Sequence, residues 1–345
     1  MPNKSIFDLV TADEIVAYWD VTKQNQTPVL GEELWPANKK LGLDLKWLRG
    51  AKGLPVVLKP SAYDAVSLKR DRIGFKQTIA SMPFFKESMY IDEELRQQLN
   101  MVLETGNAAY IDSIMNQIFD DDTQLLIGAR AQRERMRMSL LTTGTISISA
   151  NGQAYDYDYG VANDQKVDSD WTDPDADIIG DIRQWQQDAK ERTGVTPNRF
   201  VINSKTASYF LKNKDLKNAT WGNNAAAPIL ESDVKKYLMS ALGVSYVTYD
   251  NQFIDETGTK KKYIPDNIVT FIPSGKLGTS WFGTTPEESD LMSGSAANVA
   301  ITDTGVAVTT VKKTDPVNVD TKVSMIFLPS FETIDQIVIA DVSGN

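Results

Sequence analysis

The chain is 345 residues long, with 36 Lys and Arg against 46 Asp and Glu, and it contains neither His nor Cys. The absence of imidazole and thiol removes the commonest general base, the commonest metal ligand and every thiolate nucleophile. Ser-His-Asp and Cys-His catalysis, zinc-thiolate sites and disulfides are therefore excluded, and only carboxylate, Lys, Tyr or Ser-Lys chemistry is left.

The remaining composition is that of a folded, water-soluble chain, 41% apolar and 24% charged. Its length suggests two domains, or one with long excursions. No apolar run approaches the roughly 18 residues of a membrane span. The first 20 residues carry acids and lack an apolar h-region, so no signal peptide is expected. A chain without Cys fits synthesis in a reducing cytoplasm. A net charge of −10 disfavours non-specific binding to nucleic acid from outside.

Charge is distributed unevenly. From Asn38 to Lys76 ten basic residues face three acids, a net +7 that includes Lys52, Lys59, Arg70 and Arg72. From Ala154 to Asp177 eight Asp, among them Asp164, Asp168 and Asp170, face one Lys, a net −7. Matched segments of opposite sign are either contact partners, within one chain or between copies, or two solvated loops.

In chain order, Thr11 is placed to cap a short helix over ADEIVAYW, with Glu14 completing a capping box. Residues 38 to 80 follow as an extended excursion rich in Gly, Pro and Lys, with a short β-like run from Leu54 to Leu58. Trp47, Leu48, Leu54, Val56 and Leu58 lack an obvious burial site in such an excursion, which points to burial against another chain.

After Pro83, helical spacing of Leu95, Leu99 and Leu103 predicts a helix that Gly106-Asn107 interrupts. A second pattern runs from Ile111 to Phe119. A third runs from Asp121 to Leu141, with Asp120-Asp121-Asp122 read as its N-terminus and Gly144 as its stop. Arg130, Arg133 and Arg137 fall on one face of that third helix. Such a stripe either faces nucleic acid or a lumen, pairs with acids, or is solvated.

TISIS then alternates as a strand, and Asp173-Pro174 reads as the start of a helix burying Ile178, Ile182, Trp185 and Ala189. Strands are expected at 199–202, 244–249 and 268–272. Helices are expected from Ser204 and Ser232, a hairpin at Thr257-Gly258, and three more β runs toward the C-terminus. Helices and strands mixed in this way predict an α+β chain.

Tests for chemistry fail one by one. Ser274-Gly275-Lys276 lacks the first Gly and the Ser/Thr of a phosphate loop. Asp156-Tyr157-Asp158-Tyr159-Gly160 begins like a calcium loop and then lacks its later oxygen ligands. No cofactor or metal site is expected.

Three stretches, KGLPVVLKPSAYDA (52–65), MPFFKESMYIDEELRQQL (82–99) and KKKYIPDNIVTFIPSGKLGTSWFGTTPEESDL (260–291), resemble the lambda-like family of tailed-phage major capsid proteins. Their order along the chain matches as well. The resemblance implies the Hong Kong 97-type fold and a non-enzymatic shell subunit of an icosahedral head, a virion component assembled in the bacterial host cytoplasm. It implies 1–37 as an N-terminal arm and 38–80 as the extended loop. A peripheral domain with a spine helix follows at 81–165, then an axial domain at 166–299, return strands at 300–329 and a final axial strand at 330–345.

Implied partners are further copies of the chain in hexamers and pentamers, a portal, packaged double-stranded DNA and a decoration protein. A separate scaffolding protein is expected, because the chain has no room for a scaffolding segment of its own. Trp47, Arg49, Lys52, Leu54, Lys59, Arg70 and Arg72 on one copy, and Asp164, Asp168 and Asp170 on another, are the candidate contact residues. An encapsulin-like compartment is the alternative, and a carboxylate hydrolase a distant third.

Overall fold

The computed structural model describes residues 5–42, 44–49, 76–91, 93–105, 107–221, 229–294, 297–315 and 317–344. The N-terminal segment folds as α1 (Ile6–Leu9), α2 (Ala12–Thr22), α3 (Leu30–Leu34) and β1 (Ala37–Lys39). The Thr11 hydroxyl accepts the Glu14 N–H at 3.3 Å, so the expected cap forms. Ile15, Trp19, Leu34 and Trp35 of this segment are fully buried, which makes it part of the main core. β2 (Asp44–Arg49) and β3 (Lys76–Ser81) pair antiparallel with each other, Asp44 opposite Ser81 and Arg49 opposite Lys76. Among the described residues they join no other sheet.

β4 (Phe84–Tyr90) leads to α4 (Glu93–Thr105) and α5 (Ala108–Thr143). The Asn107 side chain caps α5 by accepting the Ala109 N–H, and Gly144 closes it at φ +77°. At 36 residues α5 is about 54 Å long, where the sequence patterns predict two shorter helices. The reason is Asp120-Asp121-Asp122, which lies inside the helix instead of starting it. Asp120 accepts a hydrogen bond from Tyr18 Oη at 2.6 Å, and Asp122 is buried against the sheet.

β5 (Thr145–Ala150) and β6 (Gln153–Asp158) form a hairpin, followed by β7 (Lys166–Asp168). The acidic stretch is thus strand, turn and strand and not a single loop. α6 (Ile178–Thr193) begins later than Asp173-Pro174 suggests, because Asp177 is the residue whose carboxylate accepts the Gly180 N–H. β8 (Arg199–Ile202), α7 (Ser204–Lys212), α8 (Lys214–Trp221) and α9 (Glu231–Leu242) follow. α9 starts after Leu230 and does not use Ser232 as its cap.

The remainder is β9 (Ser245–Thr248), β10 (Gln252–Ile254), β11 (Lys260–Lys262), β12 (Ile268–Ile272), β13 (Thr279–Phe282), β14 (Asn298–Thr302), β15 (Val306–Thr314), β16 (Val317–Ser330) and β17 (Val338–Asp341). Of the last expected strand, Ile334–Gln336 is a 3-10 turn and only the end is β.

Two sheets organise these strands. The larger runs β1-β13-β16-β15-β14, with β4 also paired to β16. The second runs β7-β17-β12-β8-β9. Around the larger sheet α2 and α5 bury Trp19, Leu126, Leu140 and Leu141 against Val308, Phe327 and Phe331. The second core holds Trp171, Trp185, Phe200, Phe210 and Phe271. Trp171 stacks on Trp185 at 5.4 Å, and Phe200 on Phe271 at 4.1 Å.

Candidate assembly site

Spacings of three and four residues put Arg130, Arg133, Glu134 and Arg137 on one face of α5, and that face is turned inward. Arg133 and Arg137 are 3% and 2% exposed. Arg130 Nε donates to Glu32 Oε1 at 3.2 Å, tying α5 to α3. Arg133 donates to Asp303 Oδ2 at 2.7 Å, and Lys23 pairs with the same carboxylate. Burial opposes ionisation of Asp303, but the Arg133 charge and the hydrogen bonds from Lys23 and Arg133 outweigh it and hold its carboxyl below the usual range. Those bonds also anchor the β14–β15 turn, where Asp303 and Thr304 both adopt positive φ, a conformation non-glycine residues rarely take.

Glu134 is fully buried and its carboxylate accepts three groups: the Gly31 N–H and the Tyr249 hydroxyl, each at 2.9 Å, and Arg137 at 3.4 Å. Arg137 also donates to Ser280 Oγ at 3.0 Å and lies over the Phe327 ring. Burial pushes Arg137 down to about 10, which leaves it charged at neutral pH. The three arginines are therefore internal ties between α3, α5, the large sheet and Tyr249. A lumen- or DNA-facing role for them is corrected: burial and pairing with carboxylates occupy them inside the subunit.

Arg130, Arg133 and Arg137 share a face in the sequence, but Glu134 and Asp303, which neutralise that face, were missed. Glu134 is legible only as a helical neighbour of Arg137. Asp303 lies 170 residues from Arg133, and nothing local to it points to the helix.

The candidate acids are on the surface. Asp164 is 63% exposed and lies 3.6 Å from Arg192. Asp168 is exposed on β7, the edge of the second sheet. Asp170 accepts the Thr172 N–H and hydroxyl, which fix a turn and lower its pKa. Trp47 and Arg49 stand on β2 opposite Thr78 and Lys76. Lys52, Leu54, Lys59, Arg70 and Arg72 lie outside the described residues.

Among the described residues no group of acids has the arrangement of a metal site, and no helix is long and apolar enough to cross a membrane.

The family model of the phage major capsid protein E matches residues 11–342. The chain belongs to that family. Solved structures agree on the fold. A prophage capsid protein from Escherichia coli CFT073 is 14% identical, with 96% of this chain and 99% of that one covered and a TM-score of 0.62. A phage-related protein from Bordetella bronchiseptica RB50 is also 14% identical, over 97% and 98% of the two chains, with a TM-score of 0.54. The capsid chain of cyanophage A-1(L) is 12% identical over 93% of each, with a TM-score of 0.52. No curated protein sequence matches the chain.

The fold is the Hong Kong 97-type capsid fold, with α5 as its long helix. As a phage major capsid protein E, the chain is a shell-forming structural protein of the virion capsid. The buried arginine ties hold one such subunit together.

Proposed function

We propose that copies of this chain assemble, as hexamers and pentamers, into a closed icosahedral head around double-stranded DNA in the host cytoplasm. Residues 38–80 serve as the extended loop that reaches an adjacent copy. The family match over residues 11–342 carries the shell reading. The loop reading is supported by β2 and β3, a stem paired only with itself among the described residues, which bears a basic 50–75 segment. In the same reading 1–37 is the arm, 81–165 with 300–329 the peripheral domain around α5, and 166–299 with 330–345 the axial domain. A separate scaffolding protein, a portal and a decoration protein are further partners.

Electron microscopy of the expressed chain tests this. Large angular shells are expected. Small uniform shells carrying protein cargo would favour an encapsulin-like compartment, and discrete small particles would overturn both. Deleting residues 50–58 is expected to leave a folded chain that closes no shell; normal shells from that variant would remove the loop assignment.

A further inference from the structure

The chain joins its two main sheets directly at two places, residues 273–278 between β12 and β13 and residues 331–337 between β16 and β17. These connections are bonded to each other: Thr333 donates its N–H and its hydroxyl to the Leu277 carbonyl at 3.1 and 3.0 Å. Such a junction is where one sheet can turn against the other, and every further bond between the halves limits that turn.

Residues 29–35 lie across this junction. The Leu34 carbonyl accepts the Leu277 N–H at 2.8 Å. Trp35 Nε1 donates to the Ser330 carbonyl at 2.9 Å, and the Trp35 ring meets Phe331 edge-on at 5.3 Å. The packing has no slack, since a Cβ on Gly278 would collide with the Ser330 carbonyl oxygen and the Trp35 indole.

α3 then reaches both halves through successive residues. The Gly31 N–H is held by Glu134 of α5, and both Glu32 carboxylate oxygens accept from Arg130 of α5, at 3.2 and 3.4 Å. The next residue, Glu33, accepts from Arg199 Nη1 at 2.7 Å. Arg199 opens β8 inside the second sheet, between Ile272 of β12 and Ser245 of β9. One helical turn thus grips the helix packed on the larger sheet and the middle of the second sheet. The Glu33 and Arg199 side chains are 63% and 20% exposed, so this tie can be broken without stranding a fully buried charge.

We propose that residues 29–35 are a strap that sets the angle between the two sheets, and through it the curvature of the shell, with Glu33–Arg199 as its outer tie. A closed shell repeats one subunit shape around its symmetry axes, so a small change of angle within the subunit alters how copies close. This goes beyond the assembly reading; it uses the shell-forming role and not the loop assignment.

Glu33→Arg places two like charges at the tie. The variant is expected to fold, with a melting temperature within about 4 °C of the parent, and to lose the single diameter class of the parent shells in electron micrographs. Adding Arg199→Glu restores the opposite charges and is expected to restore that class. Parent shells from Glu33→Arg overturn the proposal, and so does failure of the folded double variant to restore them.

The angle itself is read in unassembled subunits. The chain has no Cys, and Ser113 on α5 and Ser240 on α9 are exposed, so Ser113→Cys with Ser240→Cys carries a pair of spin labels. One narrow distance is expected with the strap intact, and a broader or shifted distribution with Glu33→Arg. An unchanged distribution overturns the strap. A changed distribution with parent shells overturns its role in curvature. The distance measurement needs no assembly, so failure of the strap and failure of the shell reading are distinguishable.

Discussion

Gly31 packs so closely on Glu134 that a Cβ there would lie 2.3 Å from the carboxylate and 2.5 Å from Arg137 Cδ. Gly31→Ala is expected to cost about 1–3 kcal/mol through overpacking, read as a lower denaturation midpoint. Glu134→Ala removes the acceptor of Gly31, Tyr249 and Arg137 together and strands a buried guanidinium, so a loss of about 3–5 kcal/mol is expected. A variant within 0.5 kcal/mol of the parent, roughly the range of a neutral surface change, would show that the tie is dispensable.

Asp122 behaves differently. Burial pushes its carboxyl up to about 7, against a 3.1 Å hydrogen bond from Thr321 Oγ1 and with the charge of Asp121 adding to the rise. The folded state then binds a proton that the unfolded chain has already released. Between about pH 4 and pH 7 stability falls as pH rises, by up to roughly 4 kcal/mol in all, and it levels off above. Asp122→Asn is expected to flatten that slope and to match or exceed the parent at pH 8. An unchanged pH profile of urea unfolding would remove Asp122 as the source.

At the scale of elements, α5 is decisive because it contacts α2, α3, α4 and both sheets. Ala129→Pro would remove a backbone hydrogen bond and clash with the preceding turn, a cost of about 3 kcal/mol or more. Loss of the cooperative thermal transition is expected, and an unaltered melting temperature would refute the helix as the structural axis.

Gly106-Asn107 was readable as a break, because Asn caps a new helix there. The continuity of α5 through three successive Asp was not readable. Local sequence favours acids at a helix start, and only Tyr18 and Thr321, distant in sequence, make them tolerable in the middle. The start of α6 shifted because several residues could serve as its cap and Asp177 is the one whose carboxylate accepts the Gly180 N–H, while α9 begins after Leu230 without a side-chain cap.

For the whole molecule, the question is what the two oppositely charged segments do in a shell. The acids at Asp164, Asp168 and Asp170 are exposed, though Asp164 and Asp170 also have partners within the subunit. If the 46–76 segment of a neighbour meets them, each exposed pair is worth only about 0.2–1 kcal/mol, and many copies of the contact add. Changing all three to Asn is expected to slow assembly and to reduce its dependence on ionic strength. Light scattering with the parent rate and the parent salt slope would leave these acids as solvated surface.

Exclusion of His and Cys chemistry, the α+β class and about half of the strand positions among the described residues followed from the sequence alone, because composition and short-range periodicity are local properties. The family resemblance followed from three contiguous motifs for the same reason. What side chains do across the fold was decided by tertiary structure. Arg133 is a surface stripe in a helical projection and a buried ion pair once Asp303 arrives from the β14–β15 turn. β4 belongs to the larger sheet only because β16, more than 200 residues further along the chain, pairs with it. Neither fact is encoded within a helical turn or a strand repeat, since each depends on which distant segment packs there.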